Sequence, residues 1–296
     1  MKEFPSILIT GGAGSFGRAL ATFLLSNNMV SRLCVLSRGE IAQANMARDL
    51  ENDSRLRFFI GDVRDEDRLA RAMTGVDMVI HAAALKRIEV GHYNPDEMVK
   101  TNVMGAINVI SAARRTGVDR VVALSTDKAF QPVSAYGQSK ALMESLMIAA
   151  NDTSGVKGPR FVVTRYGNIW ASSSSVVPIW VALAEAGKVI PITDPACTRF
   201  FMKMAEAIEL VIGAAVDPDP GNIAVPHLPA YSLTDLATAF GAVFGGKITF
   251  KVTGLPEHEK RHESMRCGES SATVKRMSVD ELIGHIRHYM ESRRGA

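Results

Sequence analysis

Cysteine is scarce: three stand in 296 residues, Cys34, Cys197 and Cys267. They are odd in number, far apart and without a CxxC spacing, which excludes a disulfide framework and a thiolate zinc site. Cys34 reads as a core residue of a strand. His81, His92, His227, His258 and His262 show no metal spacing either, so no metal is expected. Long apolar runs are missing too: no segment holds about 18 apolar residues in a row, and no membrane span is expected. Met1-Lys2-Glu3-Phe4-Pro5 leads straight into a strand-like run, without a long apolar region and cleavage site. The expectation is a cytoplasmic protein. Net charge is only +3, with both signs interspersed, so electrostatics gives a nucleic-acid partner no support. With 47% hydrophobic and 22% charged residues, the chain can form one ordinary core, or one core with a smaller appendage, and disorder is not expected.

What is present is a rhythm. From residue 7 to about residue 120, short apolar runs alternate with longer helix-compatible stretches, the pattern of repeated βαβ units around a parallel sheet. Strands are predicted at 7–10, 33–37, 56–60, 78–82, 120–125 and 161–166, and helices at 17–26, 41–51, 66–74, 95–116 and 135–150. The fold class is therefore α/β, a Rossmann-like doubly wound parallel sheet. After Tyr166 the rhythm breaks and prolines become frequent: Pro178, Pro191, Pro195, Pro218, Pro220, Pro226, Pro229 and Pro256. We read residues 1–166 as a dinucleotide-binding domain that carries the catalytic residues. Residues 167–296 read as a smaller, mainly substrate-binding lobe that can return strands to the sheet.

Directly after the first strand comes Gly11-Gly12-Ala13-Gly14-Ser15-Phe16-Gly17, opening into a helix. Gly11 and Gly14 would let the backbone turn tightly and approach a pyrophosphate. Gly17 would let helix and strand pack closely, and the helix N-terminus offers N–H donors to the anion. A glycine-rich turn without a ligand is the competing reading. At the end of the second strand an NAD site usually places a carboxylate on the ribose, but this chain has Leu36-Ser37-Arg38-Gly39. Arg38, with Ser37 beside it, would attract a 2′-phosphate, which favours NADP and leaves NAD as the alternative cofactor. Asp62-Val63 follows the third strand, where a carboxylate can accept from an adenine amino group. His81-Ala82-Ala83-Ala84 follows the fourth and puts small residues where the backbone passes a cofactor.

Tyr136 and Lys140 stand four apart on a predicted helix, hence on one face. A nearby ammonium, together with a positive nicotinamide ring, would lower the phenol pKa so that the phenolate can remove a hydroxyl proton as hydride leaves. Ten residues earlier, at the end of the fifth strand, stands Ser125-Thr126-Asp127-Lys128, at the sheet edge where doubly wound folds hold ligands. A solvated turn is the competing reading of that run. Met143-Glu144-Ser145-Leu146-Met147 reads as packing, in the core or on a subunit face.

Taken together these residues resemble the extended short-chain dehydrogenase/reductase superfamily, and within it the NADP-dependent UDP-N-acetylglucosamine 4,6-dehydratases of polysaccharide and flagellar sugar synthesis. The resemblance covers nearly the whole chain. Besides the glycine loop and Tyr136-Gly137-Gln138-Ser139-Lys140, it rests on Gly61-Asp62-Val63-Arg64-Asp65, His81-Ala82-Ala83-Ala84-Leu85-Lys86, Tyr93-Asn94-Pro95 and Lys100-Thr101-Asn102-Val103. Three further runs point to the dehydratase group: Ser125-Thr126-Asp127-Lys128-Ala129, Arg165-Tyr166-Gly167-Asn168 and Asp194-Pro195-Ala196-Cys197-Thr198-Arg199-Phe200.

The resemblance implies oxidation at C4, elimination of water across C5 and C6, and return of hydride to C6. Tyr136, assisted by Lys140 and bonded through Thr126, would take the C4 hydroxyl proton. Lys128 would remove the C5 proton and Asp127 would protonate the departing hydroxyl, which requires a raised carboxyl pKa. Lys rather than Glu at 128 resembles the members that invert C5. Lys86 would serve cofactor and sugar, and the remaining substrate candidates are Asn102, Asn168, Val177, Arg199 and Lys260. A homodimer or larger homo-oligomer is expected by resemblance, paired through the two long helices near the catalytic strand.

The substrate half departs from the family at two points. An arginine usual after the Gly-Asn run is missing from Ala171-Ser172-Ser173-Ser174-Ser175-Val176-Val177-Pro178, and a diphosphate-clamping arginine is replaced by Pro256 in Pro256-Glu257-His258-Glu259-Lys260-Arg261-His262-Glu263. Each charge-assisted bond lost is worth about 1.5 to 3 kcal/mol. Lys260, Arg261 or Arg266 could compensate, or the ligand is a nucleotide with one phosphate or another sugar nucleotide. The alternative functions are an epimerase of the same fold, a plain dehydrogenase that releases NADPH, and a non-catalytic NADP-sensing or scaffold protein.

Overall fold

The computed structural model describes residues 4–173, 175–217 and 223–294; Met1, Lys2, Glu3, Ser174, Pro218 and Pro220, named above, lie outside them. In chain order the first elements are β1 (Ser6–Thr10), α1 (Ser15–Ser26), β2 (Arg32–Ser37), α2 (Glu40–Asp49), β3 (Leu56–Ile60), α3 (Glu66–Met73) and β4 (Met78–His81). Next come α4 (Ile88–Tyr93), α5 (Pro95–Met98), a π-helical segment (Val99–Met104), α6 (Gly105–Thr116), β5 (Arg120–Leu124), a 3-10 turn (Asp127–Ala129), α7 (Ala135–Thr153) and β6 (Arg160–Thr164). Then follow β7 (Asn168–Ile169), α8 (Val176–Glu185), β8 (Ile190–Ile192), β9 (Thr198–Met202), α9 (Met204–Val216), β10 (Ile223–Ala224), β11 (Ala230–Ser232) and α10 (Leu233–Val243). The chain closes with β12 (Phe250–Val252), β13 (Ser264–Arg266), β14 (Glu269–Ser270) and α11 (Val279–Arg294).

Two compact units result. The first holds residues 1–165 and 205–226, the second residues 166–204 and 227–296. The first unit is built on a seven-stranded sheet in the order β10-β6-β5-β4-β1-β2-β3, parallel at every pairing. Its strands are short apolar runs because helices cover such sheets on both faces: all five residues of β1 are buried. Leu8, Val79, Val121 and Phe161 pack with Leu69, Met73, Val109, Ala113, Met143 and Met147 into one core. Met143 and Met147 thus belong to the core, whereas Leu142, next to Met143 in sequence, is 51% exposed. Cys34 is buried in β2 and, like Cys197 and Cys267, is a free thiol.

The seventh strand comes from outside the predicted six: β10 adds beside β6 through Ile223 and Ala224. The region predicted as one helix over 95–116 is broken up. An extra short helix, α4, precedes it, and six residues within it wind as a π-helix, a wider turn that buries Thr101, Asn102 and Val103. Helix ends follow local chemistry. The Asp65 carboxylate caps α3 by accepting from Arg68 N–H, Ser134 caps α7 by accepting from Gly137 N–H, and Gly117 in the left-handed region ends α6.

The second unit has its own core, with Val177, Trp180, Ile190, Phe201, Tyr231, Phe240 and Ile286 among its buried members. Its β9 runs antiparallel to β11 and parallel to β7.

Met147 is fully buried in the first unit's core, so Met147→Ala is expected to destabilise the protein by about 2 to 5 kcal/mol. Chemical denaturation checks this: the midpoint falls with an unchanged slope, and an unshifted midpoint would place Met147 outside the cooperative core.

Candidate active site

In the parallel sheet every strand of the first unit delivers its carboxyl end to one edge, and the strand order reverses between β1 and β4. The loops after these two strands meet there. Gly11 has φ +66°, and a Cβ on it would come within 2.8 Å of the Ala83 backbone, so both the turn and the close approach require glycine. Gly17 sits against Gly12, where a Cβ would lie 2.4 Å from the Gly12 carbonyl oxygen; this lets α1 start directly on the loop. The α1 N-cap is Gly14, with no side-chain cap, which leaves the positive end of the helix dipole to an external anion.

A cleft of about 460 Å³ opens at this point. Of the residues expected to hold a cofactor, Gly11, Gly14, Ser37, Arg38, Asp62, Val63, Ala83 and Ala84 line it. Gly61 and Thr101 line it too and were not foreseen; Thr101 reaches it only through the π-helical segment, which sequence periodicity does not reveal. Ser15 and Phe16 form the first turn of α1, and Ala82 is half-buried beside the wall residues. Lys86 is exposed at the end of the same loop, and partial desolvation of its ammonium lowers its pKa.

Arg38 is 60% exposed, with Nη1 4.0 Å from Asp62 Oδ2. Asp62 is held more firmly by Arg64, whose backbone N–H donates to Oδ1 at 3.0 Å and whose Nη2 donates to Oδ2 at 2.7 Å. These bonds keep its carboxyl below the usual range in spite of burial. The glycine cradle, the uncapped helix and the exposed Arg38 guanidinium fit a dinucleotide.

The catalytic candidates gather just after β5 and on α7. Thr126 Oγ1 donates to Asp127 Oδ1 at 3.0 Å, and Lys128 Nζ donates to the same oxygen at 3.0 Å. Asp127 is fully buried, and the Lys128 side chain is 16% exposed. The Tyr136 hydroxyl pairs with the Thr126 side chain. Burial raises the phenol pKa, the Asp127 charge adds to this, and Lys128 and Thr126 oppose it. Lys128 is thus a further cation beside the phenol, in addition to the Lys140 that the four-residue spacing puts on the same helix face. Lys140 is 3% exposed, and burial lowers its pKa to about 8 against the opposing pull of Glu144.

Three supporting groups have partners that a sequence reading does not supply, because these residues meet only in the fold. Asn102 Oδ1 accepts from Leu85 N–H at 2.8 Å; its Nδ2 donates to Leu85 O and Ser139 Oγ, both at 2.9 Å. Ser139 Oγ in turn donates to Tyr136 O at 2.8 Å. The Asn102 amide is thus engaged in fastening the loop after β4 to the first turn of α7. Glu144, read as packing, is buried in an ion pair with Arg165, with Nη2 to Oε2 at 2.5 Å. His81 lies beneath the loop, its Nδ1 2.8 Å from Thr10 Oγ1 and its Nε2 buried without a partner.

The remaining substrate candidates lie in the second unit. Val177 is 1% exposed and its side chain belongs to the core; Asn168 is half-buried in β7. Arg199 Nη1 donates to Thr198 O at 2.8 Å and to Arg261 O at 3.1 Å, and Nη2 lies 3.5 Å from Glu259 Oε2. Lys260 Nζ pairs with the buried Glu263 at 2.9 Å. Both cations already have anionic partners within that unit. Among the described residues no cluster of side chains suits a metal ion, and no helix is long and apolar enough to cross a membrane.

The parallel sheet, the glycine loop at its order reversal and the Tyr136–Lys140 helix define an enzyme of the extended short-chain dehydrogenase/reductase type. Within that class the chain belongs to the polysaccharide biosynthesis protein family, which matches residues 7–282. The UDP-N-acetylglucosamine 4,6-dehydratase (inverting) of Campylobacter jejuni is 43% identical over 272 residues, 92% of this chain and 80% of that protein. The UDP-glucose 4-epimerase of Rickettsia prowazekii is 42% identical over 291 residues, 97% of this chain and 84% of that protein. Among solved structures, Pen from Bacillus thuringiensis superposes with a TM-score of 0.92 at 27% identity, covering 97% of this chain and 99% of that one. The dTDP-glucose 4,6-dehydratase DesIV from Streptomyces venezuelae, solved with NAD bound, gives 0.82 at 25% identity, covering 97% of each chain.

Burial, reinforced by the Lys140 charge, holds His81 at a pKa of about 3 against its usual 6.5. The unfolded chain therefore binds a proton below pH 6.5 that the folded chain refuses. Stability is expected to fall from pH 6.5 toward 3 by up to about 1.4 kcal/mol per unit on this account. Denaturation of wild type and His81→Gln near pH 7 and near pH 4.5 checks this. The substitution should flatten the acid loss, and an equal loss in both proteins would remove His81 as its source.

Proposed function

We propose that this protein is an NADP-dependent nucleotide-sugar 4,6-dehydratase, acting on a UDP-N-acetylglucosamine-like substrate through a 4-keto intermediate. The observation that carries the reading is the buried Asp127–Lys128 contact at 3.0 Å beside the Thr126–Tyr136 pair. A C4 epimerase returns hydride to the carbon it left and needs neither a base for C5 nor an acid for a leaving hydroxyl. A dehydratase needs both. A nicotinamide dinucleotide, when bound, supplies the acceptor and later the donor of hydride.

In this reading Tyr136 takes the C4 hydroxyl proton as the phenolate, a form that Lys128 favours against burial and that the positive charge of a bound nicotinamide ring would favour further, and Thr126 keeps its oxygen aligned. The ketone acidifies the C5 proton, which Lys128 removes while Asp127 protonates the C6 hydroxyl leaving as water. Both groups need their neutral forms for this. One proton passed from Lys128 Nζ to Asp127 Oδ1 supplies the amine and the acid together. Elimination returns the pair to its charged form, so that step needs no external proton donor.

Arg38 and Ser37, with no carboxylate at the end of β2, support a 2′-phosphate and hence NADP; NAD, present in the DesIV crystal, is the other choice. For the substrate we propose Lys86 and Asn168 toward the sugar, with Asn102 supporting the site from behind through Leu85 and Ser139, the backbone at Val177, and Arg199 and Lys260 toward phosphate. These two cations would exchange the carboxylates of Glu259 and Glu263 for the ligand. Self-assembly through α6 and α7 agrees with the exposed Met104, Ile107 and Leu142 in and beside these helices. The second reading, an epimerase acting on another nucleotide or nucleotide sugar, one with a single phosphate included, is favoured by the Rickettsia relative and the missing clamp arginines.

Incubation with UDP-N-acetylglucosamine and NADP in deuterated water separates the two. Loss of water with deuterium at C5 is expected, and Asp127→Asn or Lys128→Met should slow elimination by about 10² to 10⁴-fold. Reduced cofactor should still form in both variants, because Tyr136 is intact. A C4 epimer that retains its oxygen, made equally fast by both variants, would overturn the dehydratase reading.

A further inference from the structure

Tyr136, Lys140 and Glu144 recur at four-residue spacing along α7 and so share one face of that helix. Lys140 and Glu144 are 3% and 4% exposed. The Glu144 carboxylate is fixed from two strand ends. Ser125 Oγ, after β5, donates to Oε1 at 2.5 Å, while Arg165, after β6, donates from Nε to Oε1 at 2.9 Å and from Nη2 to Oε2 at 2.5 Å. Arg165 also lies over the Phe130 ring, 5.6 Å from its centroid. Such a bidentate pair leaves the carboxylate one orientation, a helical turn beyond Lys140.

We infer that Glu144 and Arg165 form a positioning pair that sets the charge state of Lys140, and through it the working pH of the catalytic helix. This rests on the reading of Tyr136 and Lys140 as the proton-transfer helix. The Glu144 carboxylate favours the Lys140 ammonium against burial, and a guanidinium bonded to that carboxylate offsets part of its charge.

No other titratable group on the packed elements duplicates this role. From β4 comes His81, neutral across the neutral range. From the 3-10 turn come Asp127 and Lys128, which act on the Tyr136 hydroxyl, and from the π-helical segment the uncharged Asn102 and Lys100, which is exposed and paired with Asp96 and Glu97. On α4 and α5, Glu89, His92 and Asp96 are exposed and Glu97 is paired with Arg64. On α6, Arg114 binds the far end of α7 at Ala150 O and Arg115 pairs with Asp67; Arg160 of β6 is exposed.

The test is a direct titration of Lys140 in the full-length protein labelled with ¹³C at lysine Cε, the signal being identified by its loss in Lys140→Arg. Wild type should titrate at about 8. Glu144→Gln leaves the Arg165 charge unbalanced and should lower the midpoint by about 1 unit, whereas Arg165→Met exposes Lys140 to the whole carboxylate and should raise it by about 1 unit. Arg165→Lys, which keeps the charge, should stay within about 0.3 units of wild type. Opposite shifts establish the pair. A midpoint that is unmoved, or moves the same way in both charge-removing variants, overturns it. If Glu144→Gln does not fold, Arg165→Met against Arg165→Lys decides by itself: a rise confined to Met supports the pair, and no rise refutes it. The titration needs no substrate, so a chain that lacks dehydratase activity still answers this question.

Discussion

Charge removed from water at the carboxyl edge of the sheet is the constraint on which the site depends. Asp127, Lys140 and Glu144 are each less than a tenth exposed, and an isolated ion there would be strongly unfavourable. The fold answers with short, paired contacts: Asp127 with Lys128 and Thr126, Glu144 with Arg165 and Ser125. His81 answers differently, by refusing a proton. The same burial makes the groups reactive, because neighbours rather than solvent decide their protonation. The parallel sheet makes this arrangement available. Its strands end at one edge, and the order reversal between β1 and β4 opens a cleft there for a ligand while the helices hold the rest of the unit together.

Much of this was legible because it lies in local pattern. Apolar runs between helical stretches foretell a parallel sheet, and glycines placed between a strand and a helix foretell a phosphate loop whose two critical close approaches, at Gly11 and Gly17, are present. The grouping of Thr126 and Tyr136 follows from strand end and helix start being neighbours in such a fold. Other features depend on partners distant in sequence. The π-helical turn leaves no periodic signature, yet it brings Thr101 to the cleft and Asn102 to Leu85 and Ser139. Glu144 sits inside a methionine-rich run that reads as packing, and only the fold supplies Arg165. The four-residue spacing puts Lys140 on the face of Tyr136, and the turn after β5 adds Lys128, a second cation that the spacing does not reveal.

The second unit shows what a motif leaves open. Arg199 is a phosphate-binding candidate by its motif and Lys260 a candidate to compensate for the clamp arginine replaced by Pro256, but each is bonded to acidic or carbonyl oxygen of its own unit. An anion that takes these cations has to compete with Glu259 and Glu263, and the charge-assisted bonds at stake are worth about 1.5 to 3 kcal/mol each. With two of the usual arginines absent, the proposed substrate site would select its nucleotide through the balance between ligand and internal carboxylate.

The account stands on a proton shared between Lys128 and Asp127. Infrared difference spectroscopy on wild type and Asp127→Asn, as UDP-N-acetylglucosamine is added to the NADP-loaded enzyme, reads that proton directly. The account predicts that a protonated-carboxyl band forms in the wild type and is absent from the variant. A carboxylate that stays ionised throughout, in an enzyme that still eliminates water, would contradict it.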